Sequence, residues 1–313
     1  MYDRDPRDAV IPKVALTCKR DFVVGFKNQN RSRFIDDFRH GRHTGRGGSV
    51  MSFKKDIARS RSAGKKAEPG TKRLPCSQCR VRARECFRPF SPPELAFMES
   101  FKTGELLVDV GATILAEGSN SAHFYTVLSG WVFRYKLLTD GRRQILNYGL
   151  PGDLLGLQGA VADAMQHSVD ALTPVRLCVF ERDALWTLYS QFPSLSFDVT
   201  WLASREERLL DEQLLTVGQR KAEEKVAFVL LRLFRRAQHV ELTDGQRLEL
   251  PLTQQHLADT LGFSLVHTNK TLKRLESRRL FRWRGKILTM LDAEALAELA
   301  QYGDDTSARR PIL

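Results

Sequence analysis

Long hydrophobic runs are missing from this 313-residue chain. The longest apolar candidate, residues 226–231, is far short of the roughly 20 residues that a membrane-spanning helix needs. The opening MYDRDPRDAV lacks the apolar core of a secretion signal, so export is not expected. Cysteine is scarce: five residues in a chain this long exclude a disulfide-stapled scaffold and suit a reducing cytoplasm, where clustered thiols serve metal or redox chemistry. Glycine-rich nucleotide loops and paired catalytic carboxylates are also missing, which argues against an enzyme. His123 and His256 stand alone, with no second histidine or carboxylate at ligand spacing.

Acidic residues run short only at the start. Residues 1–75 hold 19 Lys/Arg against 8 Asp/Glu, whereas the other 238 hold 30 against 29, so the net charge of +12 belongs almost wholly to the leading quarter. That segment, with GRHTGRGGS and RSRSAGKKAEPG, has no sustained apolar period and is expected to be a disordered basic extension. Two readings of it stand open: a basic arm gripping DNA backbone, or an over-extended start with Met51 as the first residue.

From about Phe90 to Phe180, short apolar segments alternate with recurrent glycines. ELLVDV, ATILAEG, FYTVLSGWVFRYKLL, RQILNYG and VRLCVF read as strands, and Asp140-Gly141 is a hairpin signal between two of them. Many short strands at this spacing predict a β-barrel or jelly roll. Asp153 in PGDLLG reads as a turn residue capping local backbone. Trp131, Trp186 and Trp201 sit among apolar neighbours and read as core or interface residues.

Residues 193–218 turn helical. Leu195, Leu202 and Leu209 fall seven apart with Val199 beside them, and Leu210, Leu214 and Val217 continue an apolar face. Such a helix between two domains pairs with its copy in a second subunit or packs on its own β-domain, and the two are compatible. A second helix at about 219–237 carries Ala222, Val226, Val229, Leu230 and Leu233 inward.

The most specific stretch runs from Glu249 to Leu280. Thr253 can cap a helix with Leu257, Ala258 and Leu261 on its apolar face, and Gly262 supplies the left-handed residue that ends it. Ser264 can then cap a second helix carrying Leu265, Thr268, Leu272 and Leu275 inward. Its opposite face presents Val266, His267, Asn269, Lys270, Lys273 and Arg274. Side chains that reach base edges, flanked by cations for phosphates, are what a helix in a DNA major groove requires. The alternative is an ordinary helical hairpin in a core, which the turn length disfavours. LFRWRGKILTML reads as a hairpin around Arg284-Gly285, a wing that can touch phosphates through Arg282, Arg284 and Lys286.

Three segments, FYTVLSGWVFRYKLLTDGRRQILNYGLPGDLLG, PLTQQHLADTLG and SLVHTNKTLKRL, together resemble the CRP/FNR family of bacterial transcription regulators over roughly residues 76–300. The resemblance implies an α+β fold: an N-terminal β-roll (jelly roll) of the cyclic-nucleotide-binding type, a long dimerisation helix and a C-terminal winged helix-turn-helix. The expected divisions are 1–75 extension, 76–192 cysteine leader and β-roll, 193–218 dimerisation helix, 219–301 DNA-binding domain and 302–313 tail. The family further implies a cytoplasmic homodimer on a double-stranded, two-fold operator with half-sites about 34 Å apart, contacting RNA polymerase. An enzyme or channel that carries a cyclic-nucleotide-binding domain is the alternative of another class; the missing transmembrane span, nucleotide loop and paired carboxylates argue against it, and it leaves the basic face of the second helix unexplained.

Three features qualify the resemblance. Nucleotide-binding members hold the cyclic phosphate with an Arg-Ser or Arg-Thr pair, whereas His167 precedes Ser168 here and Leu154 and Leu155 follow Asp153. A mostly neutral imidazole is a poorer phosphate anchor than a guanidinium, so cyclic AMP sensing is not expected. FNR-like recognition helices present Glu, Ser and Arg, where Val266, Asn269 and Lys270 stand in this chain. Finally, Cys76, Cys79 and Cys86, with Cys178 in VRLCVF, resemble the ligand set of oxygen-sensing FNR proteins and imply one [4Fe–4S] cluster per subunit. The spacing C-x2-C-x6-C departs from the commonest C-x2-C-x5-C, and Arg80, Arg82 and Arg84 crowd the loop. A zinc site on the same sulfurs, or a cluster-free regulator controlled by abundance, a phosphorelay or a small ligand, therefore stays open.

Overall fold

The computed structural model describes residues 74–303 and 309–313. The basic extension up to residue 73, and with it the question of Met51, lies outside the described residues.

Short strands punctuated by glycines build the first domain. In chain order they are β1 (Lys102–Val108), β2 (Thr113–Leu115), β3 (His123–Ser129), β4 (Val132–Leu137), β5 (Arg143–Gly149), β6 (Leu154–Leu155), β7 (Ser168–Ala171) and β8 (Val175–Glu181). They pair antiparallel in two sheets, ordered β1-β8-β3-β6 and β2-β7-β4-β5. Leu115, Val132 and Val169 of one sheet share a buried core with Val127, Leu155 and Leu177 of the other, the jelly-roll solution to burying two apolar faces. The Asp140-Gly141 turn forms as its residues predict: Leu138 N–H donates to Arg142 O at 2.9 Å and Gly141 adopts φ +84°. ATILAEG contracts to the three residues of β2, while LLGLQGAVADAMQHSVDAL yields two strands and a short helix, α2 (Leu157–Ala162).

Two further helices fall where the sequence reading had only strands and turns. α1 (Pro92–Phe101) begins at Ser91, whose N–H donates to Glu94 Oε2 at 2.7 Å in a capping box with proline at the first helical position. α3 (Leu185–Gln191) leads directly into α4 (Pro193–Gln219). α4 buries Leu195, Val199, Leu202 and Leu209 inside its own chain, each contributing roughly 1.5–3 kcal/mol. The seven-residue seam is thus occupied within the subunit, while Phe197, Leu210, Leu214 and Leu215 face outward.

α5 (Ala222–His239) follows, buried along most of its length. Then come β9 (Thr243–Asp244), β10 (Arg247–Glu249), α6 (Gln254–Leu261), α7 (Leu265–Ser277), β11 (Phe281–Arg284), β12 (Ile287–Met290) and α8 (Ala293–Ala300). The hairpin read at Arg284-Gly285 is extended by two strands into a sheet ordered β11-β12-β10-β9. One large cluster of buried residues joins β4 and β5 of the roll to α5, α6, α7 and the wing.

Candidate functional site

Local chemistry fixes the helix-turn-helix. Thr253 Oγ1 accepts from His256 N–H at 3.1 Å, and His256 Nδ1 accepts from Thr253 N–H at 3.2 Å. His256, without an assigned role in the sequence, thus takes the place of the usual Glu in a reciprocal cap. Gly262 ends α6 at φ +68°, and Ser264 Oγ caps α7 through His267 N–H at 3.2 Å. Leu257 and Leu261 share a core with Leu272 and Leu275, and Ala258 and Thr268 are fully buried. Leu265 departs from its expected inward position: it is 42% exposed, the whole first turn of α7 (264–267) is exposed with it, and burial starts at Thr268.

The outer face of α7 differs residue by residue. Val266 is 77% exposed. Lys270 and Lys273 are exposed and carry no ion pair among the described residues. His267 is exposed and sets its ring edge-on against Phe263, 4.5 Å between centroids. Asn269 is half-buried, its Oδ1 without a hydrogen-bond partner, and it lines a cleft of about 550 Å³ with Thr253, Lys273, Trp283, Arg284 and Lys286. Arg274 points instead to the start of α5, where Glu223 pairs with it at 3.0 Å and with Arg278 at 2.9 Å. In the wing, Arg282 and Lys286 are exposed, whereas Arg284 is held by Glu276 of α7 at 2.7 Å.

The roll grips the first helix of this motif. Arg143 of β5 pairs with Asp259 at 2.7 Å, Gln144 Nε2 donates to Thr260 O at 3.0 Å, and Tyr148 Oη meets Thr260 Oγ1 at 2.7 Å. From α4, Gln213 Nε2 donates to the same carbonyl at 2.7 Å.

Three cysteines converge. Cys76 in the turn Cys76–Gln78, Cys79 directly after it and Cys178 on β8 line one cavity of about 480 Å³ walled by Phe90, Met98 and Phe180. Burial pushes the Cys76 thiol up to about 11, with Glu99 adding to the rise, and pushes Cys178 up to about 12. Both are therefore neutral thiols near pH 7. Cys86 is not among the lining residues; it packs against the large core cluster beside Phe87, and burial raises its thiol too. Among the described residues, no group of three or more His, Cys, Asp or Glu stands ready-made for a metal. The leader is tied to the long helix by Arg88, which pairs with Glu94 at 2.9 Å and donates through Nε to Asp198 of α4 at 2.8 Å.

Asp153 is more than a turn cap. Its Oδ2 accepts from Leu150 N–H at 2.7 Å, as a turn residue should, but the carboxylate also takes Arg236 at 2.6 Å, Arg310 at 2.8 Å and Arg205 at 3.2 Å. Burial alone would raise its pKa; Arg236, Arg310 and Arg205 outweigh that and hold it well below the usual carboxylate range. One side chain thereby joins the roll, α4, α5 and the C-terminal tail. Arg310 also exchanges backbone hydrogen bonds with the leader, from Arg310 N–H to Cys86 O at 2.8 Å and from Arg88 N–H to Arg310 O at 2.9 Å. Ile312 and Leu313 reach the cysteine cavity. The segment expected to be a plain tail is, over residues 309–313, a docked element. The only sequence signal for this was the apolar Pro-Ile-Leu after paired arginines.

His167, at the position where nucleotide-binding relatives of the roll place an arginine, is buried, and burial together with Arg134 lowers it to about 4. Arg134 itself pairs with Glu206 of α4 at 2.6 Å. Trp186 is 78% exposed, outside any core of the chain, whereas Trp131 is buried.

Known proteins match this architecture. A family model described as a cyclic nucleotide-binding domain matches residues 105–192, and one described as a Crp-like helix-turn-helix domain matches residues 224–299. The nitrogen fixation regulation protein FixK of Bradyrhizobium diazoefficiens is 31% identical over 201 residues, covering 64% of this chain and 83% of that protein. The transcriptional activatory protein AadR of Rhodopseudomonas palustris is 33% identical, over 53% of this chain and 69% of its own. The solved structure of FixK2 from Bradyrhizobium japonicum superposes with a TM-score of 0.58 at 25% identity, covering 65% of this chain and 98% of that one. With the β-roll, the long helix and the capped helix-turn-helix in place, the chain belongs to the CRP/FNR family of DNA-binding transcription regulators, on its FixK-like branch.

Proposed function

We propose that the protein works as a cytoplasmic homodimer that reads a two-fold operator and touches RNA polymerase, with its DNA affinity governed by the redox state of its cysteine cavity. The observation that carries the reader is the solvent-facing strip Val266, Lys270 and Lys273 on a helix capped at its start by Ser264 and braced by the wing. Lys270 is placed for a guanine edge, Asn269 for an adenine edge and Val266 for a thymine methyl. Lys273, Arg282 and Lys286 supply phosphate contacts, whereas Arg274 serves mainly to brace α7 on α5. The outward apolar residues Phe197, Leu210, Leu214 and Leu215 of α4 form the dimer surface.

For the sensor, the donors fit an iron–sulfur group in kind: soft sulfur in a largely apolar cavity that three of the four cysteines line. Cys76, Cys79 and Cys178 would hold it, and Cys86 is the fourth candidate, reached through the same leader. A bound cluster supplies an oxygen-labile redox centre and requires deprotonated thiols. The chain's own residues supply the linkage. Arg88 fastens the leader to α4 through Asp198, and Arg310 fastens the leader's backbone to Asp153, which in turn holds Arg236 of α5.

The test is iron and acid-labile sulfide on protein purified without oxygen, together with operator affinity before and after air. About four irons per subunit, lost in air with a fall in operator affinity, supports the reading. Iron-free protein that binds a selected operator equally well in air removes the sensor and leaves the reader, and failure to select any operator from random DNA removes both.

A further inference from the structure

A second cavity, about 280 Å³, lies where the Leu150–Asp153 turn meets α4, the end of α5 and the docked tail. Four guanidiniums line it, from Arg205, Arg235, Arg236 and Arg310, against the single carboxylate of Asp153. Asp153 is already saturated: both oxygens are taken by Arg205, Arg236, Arg310 and Leu150 N–H. The wall therefore carries a formal surplus of three positive charges. Arg235 reaches no carboxylate among the described residues; it donates only to Gln238 Oε1 at 3.2 Å.

Independent of the charge count, two of these side chains hold N–H groups with nothing to accept them. Nε of Arg236 and Nε of Arg310 are buried and have no hydrogen-bond partner among the described residues, and Arg310 as a whole is 2% exposed. Burial pushes the Arg236 guanidinium down to about 10 and lowers that of Arg310, as expected where cations crowd away from water. Native interiors rarely leave such donors unmet, and a buried charge without a counter-ion is strongly disfavoured.

We propose that this cavity is a binding site for a small phosphate-bearing anion, either inorganic phosphate or a compact phosphate monoester. A multiply charged tetrahedral oxyanion can accept from several guanidiniums at once, which is the geometry arginine favours. The volume is several times the roughly 30 Å³ that one water occupies and just under the ~300 Å³ at which drug-sized ligand sites begin, so the occupant is compact. It would bridge four parts of the chain: roll, long helix, first helix of the DNA-binding domain, and tail. The site is separate from the cysteine cavity and from the face of α7, and its occupancy does not depend on either reading.

The experiment is titration calorimetry on the full chain in phosphate- and sulfate-free buffer at fixed ionic strength set with chloride. The probes are inorganic phosphate and, separately, 3-phosphoglycerate. The expected result is saturable one-to-one binding of at least one of them, with a rise in the thermal midpoint. Tighter binding of 3-phosphoglycerate identifies a monoester site, and equal or tighter binding of inorganic phosphate identifies a phosphate site. Arg235→Gln leaves every contact of Asp153 in place and should weaken binding about tenfold or more with unchanged circular dichroism; Arg310→Met should weaken it further. No saturable heat with either probe up to about 10 mM, tenfold above a 1 mM affinity, overturns the proposal. Affinity unaltered in both variants overturns it as well.

Discussion

Replacing Asp153 with Asn tests the energetic reasoning most directly. The side chain keeps its volume and one carbonyl oxygen, so the cap to Leu150 N–H can survive. What disappears is the one carboxylate that, among the described residues, pairs with Arg205, Arg236 and Arg310, whose side chains are 14%, 10% and 2% exposed. The new amide also presents N–H where a guanidinium N–H already points. Removing one partner of a buried ion pair costs about 3–5 kcal/mol because the other charge is left in the interior, a large part of the 5–15 kcal/mol that holds a typical domain. Urea unfolding at pH 7 should show this as a lower midpoint with an unchanged slope. In the double variant Asp153→Asn with Arg310→Met, the two losses should fall short of adding by about 1 kcal/mol or more, since both act on one network. A single-variant loss below about 1 kcal/mol would refute the claim that this carboxylate ties the domains together.

Other perturbations separate the parts. Lys270→Ala and Asn269→Ala should each reduce discrimination between operator and random DNA by about 1–3 kcal/mol, read in competition binding; Lys273→Ala should weaken both DNAs alike and lower the salt slope by about one. Thr253→Ala and Ser264→Ala should each lower stability by about 1 kcal/mol through a lost helix cap, measured by thermal unfolding. Gly152→Ala meets two obstacles, φ +87° and a Cβ within 2.8 Å of Arg310 Nη2 and closer still to Phe87, so it should destabilise the protein and speed removal of the tail by carboxypeptidase. His167, lowered to about 4 in the folded chain, binds its proton more readily when unfolded. Its contribution is therefore complete above about pH 6.5 and declines as pH falls toward 4, by up to roughly 3 kcal/mol; His167→Gln should flatten that part of a stability–pH curve, and an unchanged curve would contradict the burial argument.

Local rules made much of this protein legible. Thr253, Gly262 and Ser264 announce two helix starts and a stop because capping depends on residues within four positions of each other, and Asp140-Gly141 announces a hairpin for the same reason. Strand patterning gave away the roll but missed α1, because the SPPE signature was overshadowed by the apolar residues that follow it. α5 was legible at Val226, Val229, Leu230 and Leu233, but Ala227, Phe228, Leu231 and Arg232 are buried as well, because the roll and the helix-turn-helix cover more of it than one face. On α4 the periodicity was real, yet spacing alone could not say whether the seam faces a partner or the helix's own roll; Leu195 and Leu202 pack with Phe124 and Phe180 of the roll, and Leu209 is buried within the subunit.

What the sequence by itself determined is most strands of the roll, the long helix, the helix-turn-helix and the chemistry of α7, since these follow from short-range capping, turn and periodicity rules. Tertiary structure decided which distant groups meet. Asp153 and Arg310 are 157 positions apart and Arg88 and Asp198 are 110 apart, separations at which no local pattern carries a signal. Only packing brings three of the cysteines into one cavity, leaves Cys86 outside it and turns the last residues into a docked segment. A buried charge must find its partner wherever the chain's packing puts one, and that choice is made by the whole fold.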